Sequence, residues 1–259
     1  MSPENHSSPH STATHRYPHD LTQKRALVDT VTNSVEQLIH HFSNASDQSK
    51  LNALGDSSLN PACAKLALSS LCPAIYAVLS DGLKPSLETS FGAIANSVWQ
   101  VVEASARQGP LTKALNELVG RINDEDVITE GLVKFNSFVF GLLNVRSLDA
   151  WISYFRTRES IIKKHYNPDS LLVLSLTGSA VERGLVDTLI ESLQPLALLP
   201  FQFDLLFEYR QLHESLRRMD TYQQPPTSKV SWALGKTDTF WWCISKYYVS
   251  IAPFSCVSP

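Results

Sequence analysis

Apolar residues along most of this chain recur every three to four positions, the period of a helix with one buried face. Val28, Val31, Val35, Leu38, Ile39 and Phe42 form one such stripe, and Asp20 ahead of it is a candidate N-cap. After the polar loop SNASDQSKLNALGDSS (43–58), Asn60-Pro61 pairs a capping residue with proline at the first helical position, predicting a second helix. Pro73 kinks or splits it and Gly82 ends it. Phe91, Ile94, Val98, Trp99 and Val102 predict a third helix, closed by Gly109-Pro110, and Leu111, Leu115, Leu118, Val119 and Ile122 a fourth. Asn123 is read as the cap of a fifth, with Asp124, Glu125 and Asp126 in its first turn at the positive end of the helix dipole. Ser147 caps a sixth, with Leu148, Trp151, Ile152 and Phe155 inward and Asn167-Pro168 as its stop. A later helix carries Leu185, Leu189, Ile190 and Leu193, and a last one runs from about Phe203 to Met219.

Strict two-residue alternation bounded by turn residues is absent between positions 20 and 219; LLVLSL (171–176) is the one place a strand could lie. The class is all-α, a bundle of about eight helices with no internal repeat. The stretch LQPLALLPFQFDLLFEYR (193–210) places Pro195 and Pro200 inside a strongly apolar segment. Proline in a helix interior costs about 3 kcal/mol and turns the preceding residue away from the helical region. The incoming helix should end near Gln194 and the next start just after Pro200. Leu196, Leu198, Leu199 and Phe201 should fill the corner between them.

Residues 1–19, rich in Ser, His, Pro and Thr, read as a disordered tail, 20–219 as one domain, and 220–259 as an irregular tail. The net charge of -3 points to neither nucleic acid nor an anionic membrane. Four cysteines (63, 72, 243, 256) have no ligand-like spacing. The N-terminus lacks a signal peptide's apolar segment, so the compartment is expected to be cytoplasmic. The longest charge-free run, Leu66 to Ser80, is too short and too polar for the roughly 18–20 apolar residues of a transmembrane segment, and none is expected.

The chain carries few motifs of catalytic chemistry. Gly235-Lys236-Thr237 ends like a phosphate-binding loop, but Val230 stands where the first glycine belongs. There is no nucleophile elbow and no zinc-protease motif; His40-His41, His165 and His213 read as structural or surface residues. The tail histidines (6, 10, 15, 19) have no fixed geometry for a metal. No catalytic residue, cofactor or metal site is expected, and the chain reads as a non-enzyme. The segment ISYFRTRESIIKKHY (152–166) gathers Arg156, Arg158, Lys163 and Lys164 against Glu159, and is read as a solvated face.

Several blocks are familiar in their order. VLSDGLKPS (78–86) resembles the Gly-Leu-Lys signature of RUN domains, SVWQVVEAS (97–105) the tryptophan block after it, FVFGLLNVRSLDAWISYF (138–155) their central helices, and the proline corner their C-terminal block. The signature blocks span about 61–212, with a helix preceding them. Their wording is similar to the RUN and SH3 domain-containing (RUSC) adaptors, and the likeness covers about residues 24–212. Nothing after residue 220 has the strand pattern of an SH3 domain, and a truncated or spliced form of a longer protein is expected.

The resemblance implies an all-α, non-catalytic module that binds a Rab- or Rap-type small GTPase in vesicle trafficking and signalling. The alternative is a nucleotide-independent scaffold for a vesicle coat adaptor, a motor or a receptor-signalling protein. It implies a cytoplasmic protein brought to vesicles or Golgi-derived membranes by its partners. Contacts on the first and last helices would then fall on Lys24, Arg25, Arg210 and Arg217. Gly82 and Leu83, from the signature, read as structural.

Overall fold

The computed structural model describes residues 21–107 and 112–222, with side chains through Arg218. The expected tail at 1–19, the closing Gly109-Pro110 and residues 223–259 of the expected 220–259 tail lie outside those residues, while 220–222 continue the last helix. The chain divides into two compact units, Met1–Ser215 and Leu216–Pro259. The helical body belongs to the first, and residues 216–222 of its last helix are assigned to the second.

That body opens with α1 (Thr22–Phe42), α2 (Gln48–Gly55), and a long helix made of α3 (Pro61–Leu66) and α4 (Cys72–Ser80), joined by a π-helical turn at Ala67–Leu71. Asn60 accepts a hydrogen bond from the Ala62 N–H, as its position predicted. Pro73 cannot donate to the carbonyl four residues back, and the turn widens just ahead of it. This helix is long and apolar enough to cross a membrane, which the charge-free run had not indicated. Cys63, Ala64, Ala67, Leu71, Cys72, Ile75, Val78 and Leu79 on it are core residues. Leu21 occupies the N-cap of α1 without a side-chain capping bond, and Asp20 lies outside the described residues. Ile39 is 39% exposed, so the first stripe is narrower than expected.

The largest departure from expectation follows α4. Residues 86–95 form a β-hairpin, β1 (Ser86–Thr89) and β2 (Gly92–Ala95), and the third helix, α5 (Val98–Ala106), begins only at Val98. Phe91 and Ile94, expected on its buried stripe, are 102% and 47% exposed. LLVLSL, where a strand was admissible, is helical. The class remains all-α, since the hairpin is the only sheet among the described residues.

Next come α6 (Lys113–Asn123), α7 (Gly131–Asn144), α8 (Leu148–Arg156), α9 (Glu159–His165), α10 (Leu171–Thr177), α11 (Ala180–Leu193) and α12 (Phe207–Tyr222). Asn123 ends α6 instead of opening a helix, and the three acids after it lie in the loop to α7. The expected sixth helix is two, broken at Thr157-Arg158, and Ser147 caps α8 by position without a side-chain bond. Helix α7 is the hub: Phe135 to Leu143 are buried without interruption. An edge-to-face series of Trp99, Phe138 and Trp151 crosses it, and Phe140 meets Phe203 and Phe207.

The proline corner is a 3₁₀ turn (Gln194–Leu198) followed by an extended strap to Leu206. Leu196 and Phe201 fill the core as expected, whereas Leu198 is 80% exposed. α12 starts at Phe207, several residues after Pro200, because the strap is held by other partners first. Gly55 is one: a Cβ there would stand 2.2 Å from the Pro200 carbonyl oxygen, so only glycine lets α2 meet the strap.

Candidate partner-binding surface

Polar residues that interrupt the apolar run of α7 position the last helix. Asn136, Ser137 and Asn144 fall within about 100° of arc on the helix circumference. Asn144 clamps the strap through both amide atoms, donating to the Phe203 carbonyl (2.8 Å) and accepting from the Phe203 N–H (2.7 Å). Ser137 donates to the Leu205 carbonyl (2.7 Å), and Asn136 to the Glu208 carboxylate (2.9 Å) in the first turn of α12. From the other side Ser57 accepts from the Asp204 N–H and donates its own backbone N–H to the Gln202 carbonyl. The root of α12 is therefore fixed, while Arg210, His213 and Glu214 remain exposed on it. A surface already ordered loses less conformational entropy on binding than one ordered by its partner. Sequence reading missed this anchor. Its signal was present as FNSFVFGLLN, whose asparagines and serine are out of place on an all-buried helix unless something polar faces them.

The four cations expected to contact a partner differ in how the fold holds them. Lys24 is bound at both carboxylate oxygens of Asp81 (2.5 and 2.7 Å), with the two side chains only 12% and 8% exposed. Asp81 also accepts from the Leu171 N–H (2.6 Å) at the start of α10, so this pair ties three helices together. Lys24 is a structural residue by this geometry. Arg25, its neighbour, is exposed. Arg210 pairs with Asp204 (2.8 Å) and its side chain remains 65% exposed. Arg217 is exposed and belongs to the second unit.

The Gly-Leu-Lys signature is structural throughout. Gly82 has φ +64°, and a Cβ there would come within 2.5 Å of the Ser170 side chain. Leu83 is partly buried against the core. Lys84 donates to the carbonyls of Lys163 (3.0 Å) and Lys164 (2.9 Å), closing the C-terminal end of α9. Beside it the buried His165 shares a 2.8 Å hydrogen bond between Nδ1 and Asn96 Oδ1, and Asn96 donates to the Lys84 and His165 carbonyls. Because that amide nitrogen is the donor, the amide oxygen must accept, which fixes His165 as the Nδ1–H tautomer. Burial, with Lys164 and Lys84 adding to it, holds this imidazole's pKa below its usual value.

Two of the four cations in the basic segment after Trp151 are ion-paired. Arg156 pairs with Asp187, Lys163 with Glu159, and Arg158 lies 4.6 Å from the Tyr154 ring centroid. A shallow open cleft between them is lined by Thr157, Arg158, Glu159, Ser160 and Lys163. Among the described residues no group of His, Cys, Asp or Glu is arranged to hold a metal ion. Cys63 and Cys72 are free and buried; burial pushes the Cys63 thiol up to about 12 and raises that of Cys72 well above its usual range, with Glu208 adding to the second.

Residues 70–206 match the RUN domain family. The chain is 43% identical over 194 residues to the human protein named AP-4 complex accessory subunit RUSC2, which covers 74% of this chain and 13% of that protein. It is 35% identical over 188 residues to the human and mouse proteins named AP-4 complex accessory subunit RUSC1, covering 72% of this chain and 20–21% of theirs. The chain thus spans about a fifth or less of the length of these relatives. The signature glycine in its left-handed turn, the lysine closing α9 and the strap clamped by α7 sit inside the matched region, and the chain belongs to the RUN domain family.

Proposed function

We propose that this chain is a non-enzymatic adaptor module that binds a vesicle coat adaptor of the AP-4 type through the exposed face of α12. The observation that carries this is the 43% identity over 194 residues to a protein named as an AP-4 accessory subunit. The ordered root of α12 supports it, because the exposed side chains that follow start from a fixed position. Arg25, Arg210 and Arg217 are the cations proposed to face partners; Lys24, held by Asp81, is left out. The protein would be cytoplasmic and reach vesicle or Golgi-derived membranes through its partners.

A second reading, effector binding to a Rab- or Rap-type small GTPase in its GTP state, is supported by the RUN family match itself. One pull-down separates the two. The full chain is immobilised and offered an AP-4-type complex and, separately, Rab and Rap proteins loaded with GDP or a non-hydrolysable GTP analogue. Capture of the coat complex, reduced at least tenfold by Arg210→Glu with Arg217→Glu, supports the first reading. Capture of one GTP-loaded GTPase alone supports the second. Failure of both overturns the adaptor proposal.

A further inference from the structure

We infer that the free edge of β2 is a docking site for an extended, alternating basic and apolar peptide segment of a partner, added as a third strand. This is independent of the α12 surface proposed above. The register pairs Ser86 with Ala95, Leu87 with Ile94, Glu88 with Ala93 and Thr89 with Gly92. Just outside it the Asn96 N–H donates to the Pro85 carbonyl at 3.0 Å. Hydrogen-bonded and non-hydrogen-bonded pairs alternate along an antiparallel ladder, so 87/94 and 89/92 bond across while 86/95 and 88/93 do not. The N–H and C=O groups of Ala93 and Ala95 therefore point away from β1. Among the described residues nothing hydrogen-bonds to them, and all four residues of β2 are exposed.

The two edges of this hairpin differ in their protection. β1 carries Pro85 at its start and Glu88 within it, features that discourage pairing. β2 has neither, only Gly-Ala-Ile-Ala. The hairpin's base is rigid, held by Asn96 to the Lys84 and His165 carbonyls and by Leu87, which is buried. Charge selects the occupant. Glu88 lies directly across from Ala93, whose side chain ends at Cβ, so a strand added beyond β2 runs about 9–10 Å from β1, within joint reach of a lysine or arginine and that carboxylate. On the opposite face the added strand meets Ile94, 47% exposed, and near the tip Phe91, 102% exposed. Basic residues on one face and apolar ones on the other are thus specified, the β-addition mode of peptide recognition. A second copy fits less well: two edges of four residues fall far short of the roughly 20–30 residues a side of a stable interface.

The test selects phage-displayed random decapeptides on the full 259-residue chain. Enriched peptides are expected to alternate Lys or Arg with aliphatic or aromatic residues and to lack central proline. They should bind Ala93→Pro at least tenfold more weakly, since proline deletes the outward N–H and leaves the bonds to β1 in place. Glu88→Lys should weaken the basic peptides at least threefold. Hydrogen exchange of the unmutated chain with one synthetic peptide should add protection at the Ala93 and Ala95 amides and not at Ile94, already bonded to Leu87. Peptides that bind Ala93→Pro equally well, protection elsewhere, no enrichment, or a dimer dissociated by Ala93→Pro would each overturn the inference.

Discussion

Asp81→Ala is expected to destabilise the domain by about 3 kcal/mol, at the low end of the roughly 3–5 kcal/mol for breaking a buried ion pair. Two groups lose their partner at once: the Lys24 ammonium, 12% exposed, and the Leu171 N–H at the start of α10. Partial escape of the long lysine toward water keeps the cost from the upper end. Lys24→Met leaves Asp81 its bond to Leu171, and about 1–2 kcal/mol is expected. Joining Lys24→Met to Asp81→Leu removes both charges and should recover part of the loss, because apolar replacement of a buried pair is often neutral. Urea unfolding of the full chain, followed by circular dichroism, gives the three values and their coupling energy. For a domain of this size 3 kcal/mol corresponds to about 6–12 °C in the thermal midpoint. A cost below about 1 kcal/mol for Asp81→Ala, with partner binding lost in Lys24→Met, would refute the structural assignment and return Lys24 to the contact surface.

Further expectations follow from the same contacts. Asn144→Ala leaves the Phe203 N–H and carbonyl without their partner, so about 2 kcal/mol should be lost and exchange across 201–208 should rise; unchanged exchange there would mean the strap holds itself. Leu196→Ala should cost about 2–4 kcal/mol and Leu198→Ala under about 0.5, because only the former is buried; equal values in chemical unfolding would contradict the corner's geometry. The native His165 imidazole resists protonation while the unfolded chain takes a proton near the ordinary value of 6.5. Below that pH the unfolded state binds more protons, so stability falls as pH drops from about 6.5 toward the lower native pKa. His165→Gln should flatten the urea midpoint between pH 7.5 and 5.5 relative to the unmutated chain; an identical slope would show that His165 does not contribute.

The helical class, the cap at Asn60, and the inward positions of α8 and α11 follow local rules visible in the sequence. Period, proline and capping chemistry act over a few residues, so a string of letters carries them. The hairpin did not show because its strands are four residues each and their alternation is diluted by Gly92, Ala93 and Ala95. Phe91 and Ile94 happen to sit at helical spacing from Val98. The same ambiguity made the Asn123 segment look like a helix start. Asparagine stops or starts helices, and here it accepts from Trp99 and Lys134 at the end of α6.

The sequence by itself determined what each segment prefers: which stretches wind into helices, which faces are apolar, where prolines and glycines forbid continuation. Only the tertiary structure decided what the charged and polar side chains do. Lys24 and Asp81 are 57 residues apart, and Asn144 and Phe203 are 59 apart. Nothing local distinguishes a lysine that will face solvent from one that will join two helices. Burial settles the difference, because a charge removed from water must find its partner wherever the fold brings one. The surfaces proposed for partners, the face of α12 and the edge of β2, are what remains once those long-range obligations are met.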